Sequence, residues 1–306
     1  MKDMKQMLCL ALALIMVLAL AACGGTPSAP AADPTDAPAA APAEAPAAEE
    51  SAADEPAEVD LGLVAPGVLT VATSPDFAPY EFYAIGEDGT ATLAGFEMDL
   101  AKYIADYLGL ELNVIPMDFD GIAIELQNKS IDLGMAGLSP KPDRAQVMDF
   151  SDIFYTGGQS FVTVQGKVDL FPDLASANKA EYSIGAQSGS IQYDLALENT
   201  PDSNIIVLPK VTDIIADLLA GNLDGAFIEK DVALQYAKNY PDMAVILDVP
   251  YDAEGSVIGV SKGNEALLAA VNEAINEALD SGAMADFVAA AGDTASGEIY
   301  EGLLED

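Results

Sequence analysis

The 306-residue chain contains no histidine, only two cysteines and a single arginine. Without histidine it cannot form a His-ligated zinc site, a Ser-His-Asp triad or a Cys-His nucleophile. Carboxylate chemistry and calcium binding remain open, but no aspartate-rich segment has the spacing of an EF-hand loop. We therefore predict no metal site and no cofactor.

Both cysteines lie in the N-terminal segment. Residues 1–22 combine a charged start with an apolar run that is short for a membrane span, which is typical of an export signal. The sequence Leu20-Ala-Ala-Cys-Gly-Gly25 resembles a bacterial lipobox, which implies cleavage before Cys23 and lipidation of its sulfur; an ordinary signal peptide is the alternative. Because Cys9 leaves with the signal, no disulfide is expected. Acyl chains on Cys23 would anchor the protein to the extracytoplasmic face of the cell membrane.

Residues 23–65 are predicted to be a disordered tether. From Thr26 to Asp60 the chain is rich in Ala, Pro, Glu and Asp and has no Lys or Arg, a composition that cannot form a packed core. The whole chain carries a formal net charge of -38. This charge disfavours nucleic acid and anionic lipid as partners, because both would be repelled.

Apolar strands alternate with amphipathic helices after the tether. The predicted strands are 68–73, 112–115 and 131–136, and the predicted helices are a stripe formed by Phe96, Leu100, Tyr103, Ile104, Tyr107 and Leu108 and a shorter segment at 121–127. This order predicts a βαβαβ unit with a parallel sheet.

The same pattern recurs later in the chain. A helix at 214–219 is followed by the apolar segment 222–228, which contains Asp224 and ends at Glu229. In the same way, the helix at 121–127 is followed by the third strand, which contains Asp132. Open α/β sheets bind ligands at the carboxyl ends of their strands. Two facing units would form a cleft, although any two α/β units share this periodicity.

Arg144 follows the strand at 131–136 of the first unit. A guanidinium matches a carboxylate with two parallel hydrogen bonds, which a lysine ammonium cannot do. The alternative is a surface arginine paired with Asp143 or Asp149, since such ion pairs are common. On composition alone, either reading is open.

Several ordered motifs resemble the amino-acid-binding proteins of ABC importers, the extracellular solute-binding proteins of family 3. The motifs are Leu69-Thr-Val-Ala-Thr-Ser-Pro-Asp-Phe-Ala-Pro-Tyr-Glu-Phe82, Gly95-Phe-Glu-Met-Asp-Leu-Ala101, Met117-Asp-Phe-Asp-Gly-Ile122, Ala136-Gly-Leu-Ser-Pro-Lys-Pro-Asp-Arg144, Met148-Asp-Phe-Ser-Asp-Ile-Phe-Tyr155, Ile184-Gly-Ala-Gln-Ser-Gly-Ser190 and Leu223-Asp-Gly-Ala-Phe-Ile-Glu-Lys-Asp-Val-Ala233. Together they cover nearly all of the chain after the tether.

The resemblance implies an α/β, two-lobed type II periplasmic-binding-protein fold. Each lobe would be a mainly parallel sheet flanked by helices, and two hinge strands would join the lobes. Residues 66–155 with 256–306 would form lobe 1, and residues 156–255 would form the hinge segments and lobe 2. Hinge closure around a ligand is the motion expected of such a protein.

The resemblance also assigns site residues. Arg144 would bind the ligand carboxylate, and Glu229 with the carbonyl of Ala136 or Gly137 would receive the ammonium group. The ligand-binding set is Arg144, Ser139, Ala136, Gly137, Phe77, Phe119, Gln187, Ser190, Ile191 and Glu229, and Gln192 is a further candidate for the ligand side chain. Each has a structural alternative: the aromatic residues as core, the serines as turn or N-cap residues, and Glu229 as a partner of a helix N-terminus.

The function that follows is a monomeric substrate-binding lipoprotein of an amino-acid ABC importer. It would capture an L-amino acid and deliver it to a membrane permease and its ATPase, and it would not be an enzyme. Many relatives carry Asp at the positions of Ser74 and Glu229, and the change at Ser74 argues against a lysine or arginine ligand. The absence of a second arginine argues more strongly against an acidic ligand. A polar or cationic amino acid is therefore preferred, and the aromatic residues also admit a bulky apolar one. The alternatives are a dehydratase of the cyclohexadienyl or arogenate type on the same scaffold, with Glu229 or Asp76 as its acid, and an amino-acid sensor.

Overall fold

The computed structural model describes residues 60–252 and 255–297. The predicted signal segment, the proposed lipidation site at Cys23 and most of the tether lie outside these ranges. Residues 253–254, from the range predicted for the hinge segments and lobe 2, and residues 298–306, from predicted lobe 1, also lie outside them. Within the described ranges, none of the helices has both the length and the apolar character needed to cross a bilayer.

The described residues contain thirteen strands and eight α-helices. The strands are β1 (Val68–Thr73), β2 (Asp76–Phe77), β3 (Glu81–Ile85), β4 (Ala91–Ala94), β5 (Glu111–Pro116), β6 (Leu133–Gly134), β7 (Met148–Phe150), β8 (Gln159–Val164), β9 (Ser183–Gln187), β10 (Asn204–Leu208), β11 (Gly225–Glu229), β12 (Met243–Asp248) and β13 (Gly259–Ser261). The helices are α1 (Phe96–Tyr107), α2 (Phe119–Asn128), α3 (Leu174–Ala177), α4 (Ile191–Asn199), α5 (Val211–Ala220), α6 (Lys230–Asn239), α7 (Glu265–Asp280) and α8 (Ala283–Ala295). Two short 3-10 helices span Arg144–Gln146 and Gln165–Leu170.

Ten strands form two five-stranded sheets of the same design, with the orders β5-β1-β6-β13-β7 and β10-β9-β11-β8-β12. In each sheet four strands run in one direction and one strand, β13 or β8, runs against them. The prediction of two mainly parallel sheets is therefore confirmed. The remaining strands form the small antiparallel sheet β2-β3-β4.

The helices form because their apolar residues recur on one face. In α1, the side chains of Phe96, Leu100 and Ile104 are fully buried, and α1 packs against α7 and α8. Tyr107, which the pattern placed on the same buried stripe, is 48% exposed, because it lies in the last turn, where the helix leaves the core. In the second half of the chain, α4 and α5 pack on β9 and β11.

The repeated aspartate of the sequence pattern has the same task in both sheets. The carboxylate of Asp132 accepts a hydrogen bond from the N–H of Thr70 at 2.8 Å, and the N–H of Asp132 donates to the carbonyl of Thr70 at 2.9 Å. Asp224 and Ser183 form the same reciprocal pair, at 2.9 and 2.8 Å. Each aspartate thus aligns its own strand with the parallel strand beside it in the sheet. Strand pairing therefore explains why the aspartate is repeated.

The chain passes twice between the two sheets, once from β7 to β8 and once from β12 to β13. The two passages lie side by side. The N–H of Ser256 donates to the carbonyl of Tyr155 at 2.8 Å, and the N–H of Phe154 donates to the carbonyl of Ser256 at 3.1 Å. Two connecting strands, as predicted, join the two halves of the fold. The first half is built on the sheet β5-β1-β6-β13-β7 and the second half on the sheet β10-β9-β11-β8-β12. The predicted lobe boundaries remain a prediction.

Buried side chains from both halves belong to one continuous apolar cluster. It includes Leu69 of β1, Val162 of β8, Ile214 of α5 and Ile228 of β11. A second cluster lies under the second sheet, where the ring of Phe161 packs edge-on against Phe171 and Phe227 with centroid separations of 5.5 and 5.2 Å. The two halves are therefore packed against each other.

Two glutamates are buried in the first half, and neither forms an ion pair with a basic side chain of the described ranges. Glu81 lies on β3 and Glu97 in the first turn of α1, and the side chains of both are fully buried. One oxygen of Glu97 accepts a hydrogen bond from the N–H of Gly137 at 2.9 Å. Burial raises the pKa of Glu97 to about 8, and burial together with Glu97 raises the pKa of Glu81 well above its usual value. The pair therefore holds protons at neutral pH.

Replacing Gly225 tests how closely β11 approaches β8. A Cβ atom at Gly225 would lie 2.3 Å from Cζ of Phe161, so Gly225→Ala is expected to lower the free energy of unfolding by about 1–3 kcal/mol through overpacking. A Cβ atom at Gly292, inside α8, would have no such neighbour within 4 Å, and Gly292→Ala is expected to raise stability by about 0.5–1 kcal/mol. Urea unfolding measures both; equal effects of the two substitutions would contradict the packing argument.

The pKa of Glu97 predicts a dependence of stability on pH. Between pH 4.5, the value for an exposed glutamate, and about 8, the folded state holds more protons than the unfolded chain, so the free energy of unfolding falls as the pH rises. Glu97→Gln keeps an acceptor for Gly137 and removes this titration. We expect its thermal midpoint to match wild type at pH 5 and to exceed it at pH 8 by about 5 °C or more, since 1 kcal/mol shifts such a midpoint by about 2–4 °C.

The matched control is Glu111→Gln, which changes the same group at an exposed position. This control should leave the difference between the two pH values as it is in wild type. If the midpoints of wild type and Glu97→Gln run parallel from pH 5 to pH 8, Glu97 does not carry the titration.

Candidate functional site

A small cavity lies between the two halves, at the carboxyl ends of β6 and β9. It encloses about 10 Å³, close to the space of one water molecule. Its lining residues are Phe77, Phe119, Ala136, Gly137, Ser139, Arg144, Gln187, Ile191 and Gln192. The structure therefore brings together eight of the ten predicted ligand-binding residues, together with Gln192. It does not place Ser190 or Glu229 in this lining.

Arg144 is the only basic side chain in the lining. It begins a 3-10 helix and is 7% exposed. Its guanidinium donates hydrogen bonds to the carbonyl of Ser139 at 2.8 Å and to that of Gly189, in the other half, at 3.0 Å. It also lies over the ring of Phe119, with its central carbon 5.2 Å from the ring centroid.

Arg144 has no carboxylate partner among the described residues. The two aspartates considered as its ion-pair partners are bound to other side chains, since Asp143 pairs with Lys141 and Asp149 with Lys262. Burial lowers the pKa of Arg144 to about 10, although Asp143 and Asp194 act in the opposite direction. The arginine remains charged at neutral pH. The site thus contains a buried cation whose direct contacts are carbonyl oxygens and an aromatic ring, with no carboxylate of the described residues in contact with it, an arrangement that favours an incoming anion.

The loop after β6 supplies backbone groups to the cavity. Gly137 has a φ of +56°, and a Cβ atom there would lie 2.7 Å from Cε1 of Phe77, so a larger residue would displace the ring. Because Glu97 binds the N–H of Gly137, the buried acid fixes this loop from behind. Phe77 and Phe119 both line the cavity; Phe77 is also part of the core, so both readings of this residue hold.

Ser190 and Glu229 cap helices instead of lining the cavity. The hydroxyl of Ser190 accepts from the N–H of Tyr193 at 3.2 Å, at the start of α4. One oxygen of Glu229 accepts from the N–H of Val232 at 2.8 Å, at the start of α6, and the other from the N–H of Gly158 at 3.0 Å. Burial, as the main cause, raises the pKa of Glu229 to about 7. Their contacts with a ligand remain predictions.

Asp76, absent from the predicted binding set, connects the two halves beside the cavity. One carboxylate oxygen accepts from the N–H of Val211 at 2.5 Å and from Nε2 of Gln187 at 3.2 Å, and the other accepts from the hydroxyl of Ser74 at 2.7 Å. Burial raises its pKa to about 6. Its place just after the end of β1 was the available signal, because side chains at that edge of a sheet approach ligands.

Further polar contacts cross the same interface. The hydroxyl of Ser188 donates to Asp120 at 3.0 Å, and Lys141 forms an ion pair with Asp194. The two halves are therefore in contact around the cavity. Within the described part of the chain, no group of three or more Cys, Asp or Glu side chains is placed to hold a metal ion.

Comparisons with known proteins relate this geometry to binding proteins. The arginine-binding extracellular protein ArtP of Bacillus subtilis is 32% identical over 219 residues, which are 70% of this chain and 82% of ArtP. The structure of AbpA, an amino acid ABC transporter substrate-binding protein of Streptococcus pneumoniae bound to L-arginine, matches with a TM-score of 0.72 and 30% identity, covering 76% of this chain and 97% of AbpA.

A similarity to an enzyme is weaker. Cyclohexadienyl dehydratase of Pseudomonas aeruginosa is 26% identical over 187 residues, which are 61% of this chain and 68% of the enzyme. The stronger matches to binding proteins confirm the prediction that the chain is not an enzyme, and the likeness to AbpA confirms the two-lobed type II fold.

The family profile extends across both sheets. It matches residues 69–290, from β1 to the middle of α8, and so includes the cavity and both connecting strands. The protein therefore belongs to the bacterial extracellular solute-binding proteins, family 3.

Proposed function

We propose that this protein captures an L-amino acid between its two halves and delivers it to the permease and ATPase of an ABC importer. The observation that carries the proposal is the buried guanidinium of Arg144, which lines the cavity and has no carboxylate partner among the described residues. The similarity of the protein to ArtP and AbpA, whose names specify arginine or amino acids, supports the choice of an amino acid as the ligand.

The α-carboxylate of the ligand would bind to Arg144. A guanidinium has five N–H donors, and the two hydrogen bonds to Ser139 and Gly189 leave donors for a carboxylate. The carboxylate would add a full counter-charge to the two carbonyl dipoles, and a full counter-charge stabilises a buried cation far better than dipoles alone. The hydroxyl of Ser139 and the N–H of Ile191 are proposed to assist.

The α-ammonium would bind on the opposite side of the cavity. Ala136 and Gly137 line the cavity, and the carbonyl of either residue is proposed to accept from the ammonium group. Glu229 stays a proposed partner: each of its oxygens already accepts one backbone hydrogen bond, and a carboxylate oxygen can accept two. Ser190 is proposed to act through the N-terminus of α4, which it caps.

Capture requires the two halves to separate. An amino acid does not fit in a cavity of about 10 Å³, and both halves contribute to its lining. The two connecting strands, which are paired at Tyr155 and Ser256, are the hinge about which we expect opening and closure. The contacts of Asp76, Ser188 and Lys141 across the interface would form as the halves close.

The site proposal is tested by Arg144→Lys, which keeps the charge and removes the planar fork. We expect its affinity for amino acids to fall at least about 100-fold, because a lysine ammonium cannot form the bidentate pair. Isothermal titration of wild type with the twenty amino acids, after a thermal-shift screen, identifies the ligand.

The control for this experiment is Lys102→Ala. Lys102 pairs with Asp106 on the exposed face of α1, and its replacement should leave the affinity unchanged. If Arg144→Lys binds the same ligand as tightly as wild type, Arg144 is not the carboxylate partner.

We further propose that Cys23 anchors the protein to the extracytoplasmic face of the membrane and that the tether holds a monomeric binding domain clear of it. Cys23→Ser should abolish labelling with radioactive palmitate and move the full chain from the membrane fraction to the soluble fraction of expressing cells. Cys9→Ser, which changes the cysteine assigned to the removed signal, should alter neither result. Continued labelling of Cys23→Ser would exclude this anchor.

A further inference from the structure

Gln187 has a fixed hydrogen-bonding direction at the cavity. It is the last residue of β9 and belongs to the lining. Its Nε2 donates to the carboxylate of Asp76 at 3.2 Å and to the carbonyl of Pro209 at 3.1 Å. Both partners are acceptors, so the amide cannot be turned round without losing both hydrogen bonds. The two N–H groups are thus used, and Oε1 is the atom of this amide left to bond with a ligand.

Asp76 holds this arrangement from the other half of the protein. It lies on β2 and is 6% exposed. The oxygen that accepts from Gln187 also accepts from the N–H of Val211 at the start of α5, where the N-cap residue Lys210 provides no side-chain cap. Ser74 donates to the other oxygen. Because these donors all point at Asp76, its carboxyl group acts as an acceptor towards Gln187.

Two further acids, Glu81 and Glu97, are buried near Asp76. Glu81 interacts with both Asp76 and Glu97, so three buried carboxyl groups lie on this side of the cavity. None of the ion pairs of the described residues includes any of the three. Because Glu81 and Glu97 hold protons at neutral pH, the selection rests on the acceptor that Gln187 presents. A side chain that donates hydrogen bonds would pair with Oε1 of Gln187, whereas a second carboxylate would meet another acceptor.

From this geometry we infer that Asp76 is a positioning residue which, through Gln187, makes the site select amino acids whose side chains donate hydrogen bonds, with guanidinium and ammonium groups preferred over carboxylates. The inference rests on the proposed function, because it concerns the side-chain end of the same ligand site. Asp76 does not line the cavity itself; it determines which atom of Gln187 a ligand meets.

The test measures selectivity as the ratio of the dissociation constants for L-glutamate and for the better bound of L-arginine and L-lysine. Wild type is expected to give a ratio of at least about 100, since two or more lost polar interactions each cost about tenfold. Asp76→Leu, which removes the acceptor, should lower this ratio by about tenfold or more. Asp76→Asn, whose amide oxygen can still accept from Gln187 and Val211, should keep it within about threefold of wild type.

A double-mutant cycle separates positioning from a general effect on closure. Loss of the contact with Val211 in Asp76→Leu would weaken both ligands equally and leave the ratio unchanged. If Asp76 acts through Gln187, then Asp76→Leu combined with Gln187→Leu should give the same ratio as Gln187→Leu alone. Thermal unfolding of each variant confirms that the proteins compared are folded.

Three results would overturn the inference: tighter binding of L-glutamate by wild type, an equal loss for both ligands in Asp76→Leu, or multiplicative effects of the two substitutions on the ratio. Preference for glutamate would leave the proposed function intact, because the protein would still bind an amino acid. If wild type binds none of the twenty amino acids, both the proposed function and this inference are wrong.

Discussion

Strands that run parallel in a sheet must all end at the same edge, and this constraint determines where the site lies. Whatever follows β6 and β9 is brought to the edges of two separate sheets, and the cavity forms where these edges meet. The loop with Ser139 and Arg144 comes from one sheet and Gln187 with the start of α4 from the other. Neither sheet alone supplies both the guanidinium of Arg144 and the amide of Gln187.

The second determinant is the burial of ionisable groups that form no ion pair among the described residues. The guanidinium of Arg144 is buried and hydrogen-bonded to carbonyls, and the carboxyl groups of Asp76, Glu81 and Glu97 are buried as well. Burial raises the pKa of each of these acids and lowers that of Arg144. Replacing buried ionisable groups by well-packed apolar ones is often neutral or stabilising. Their retention is understandable if they are complementary to a zwitterion with a further donor group.

The sequence predicted those parts of the fold that depend on local pattern. The bounds of β1 match the predicted strand, because all six of its residues are apolar or β-branched and five of them are buried in a mainly parallel sheet. The strand predicted at 131–136 is shorter as β6, although the N–H groups of Asp132 and Met135 still donate to β1. The antiparallel positions of β8 and β13 depend on pairing between residues distant in sequence, which periodicity cannot reveal.

The residues of the candidate site likewise fall into those that the sequence could predict and those that it could not. Arg144 and the loop around it were recognisable because their motif is contiguous, and the structure places them in the cavity. The serine at 190 and the glutamate at 229 carry polar groups that suit either a ligand or a helix N-terminus, and a sequence does not say in which direction a side chain points. The contact between Asp76 and Gln187 joins residues 111 positions apart, so no local pattern could predict it.

The pairing of the two connecting strands has a mechanical consequence. Two separate flexible linkers would allow the halves to slide, twist and separate independently. Here, backbone hydrogen bonds join the strands at Tyr155 and Ser256, so the strands bend together as one ribbon. In the opening and closure that we propose, such a ribbon would restrict the halves to rotation about nearly a single axis, so the distance across the cavity and the alignment of its two sides would change together. A ligand that brings the sides to the correct distance would also bring them into register.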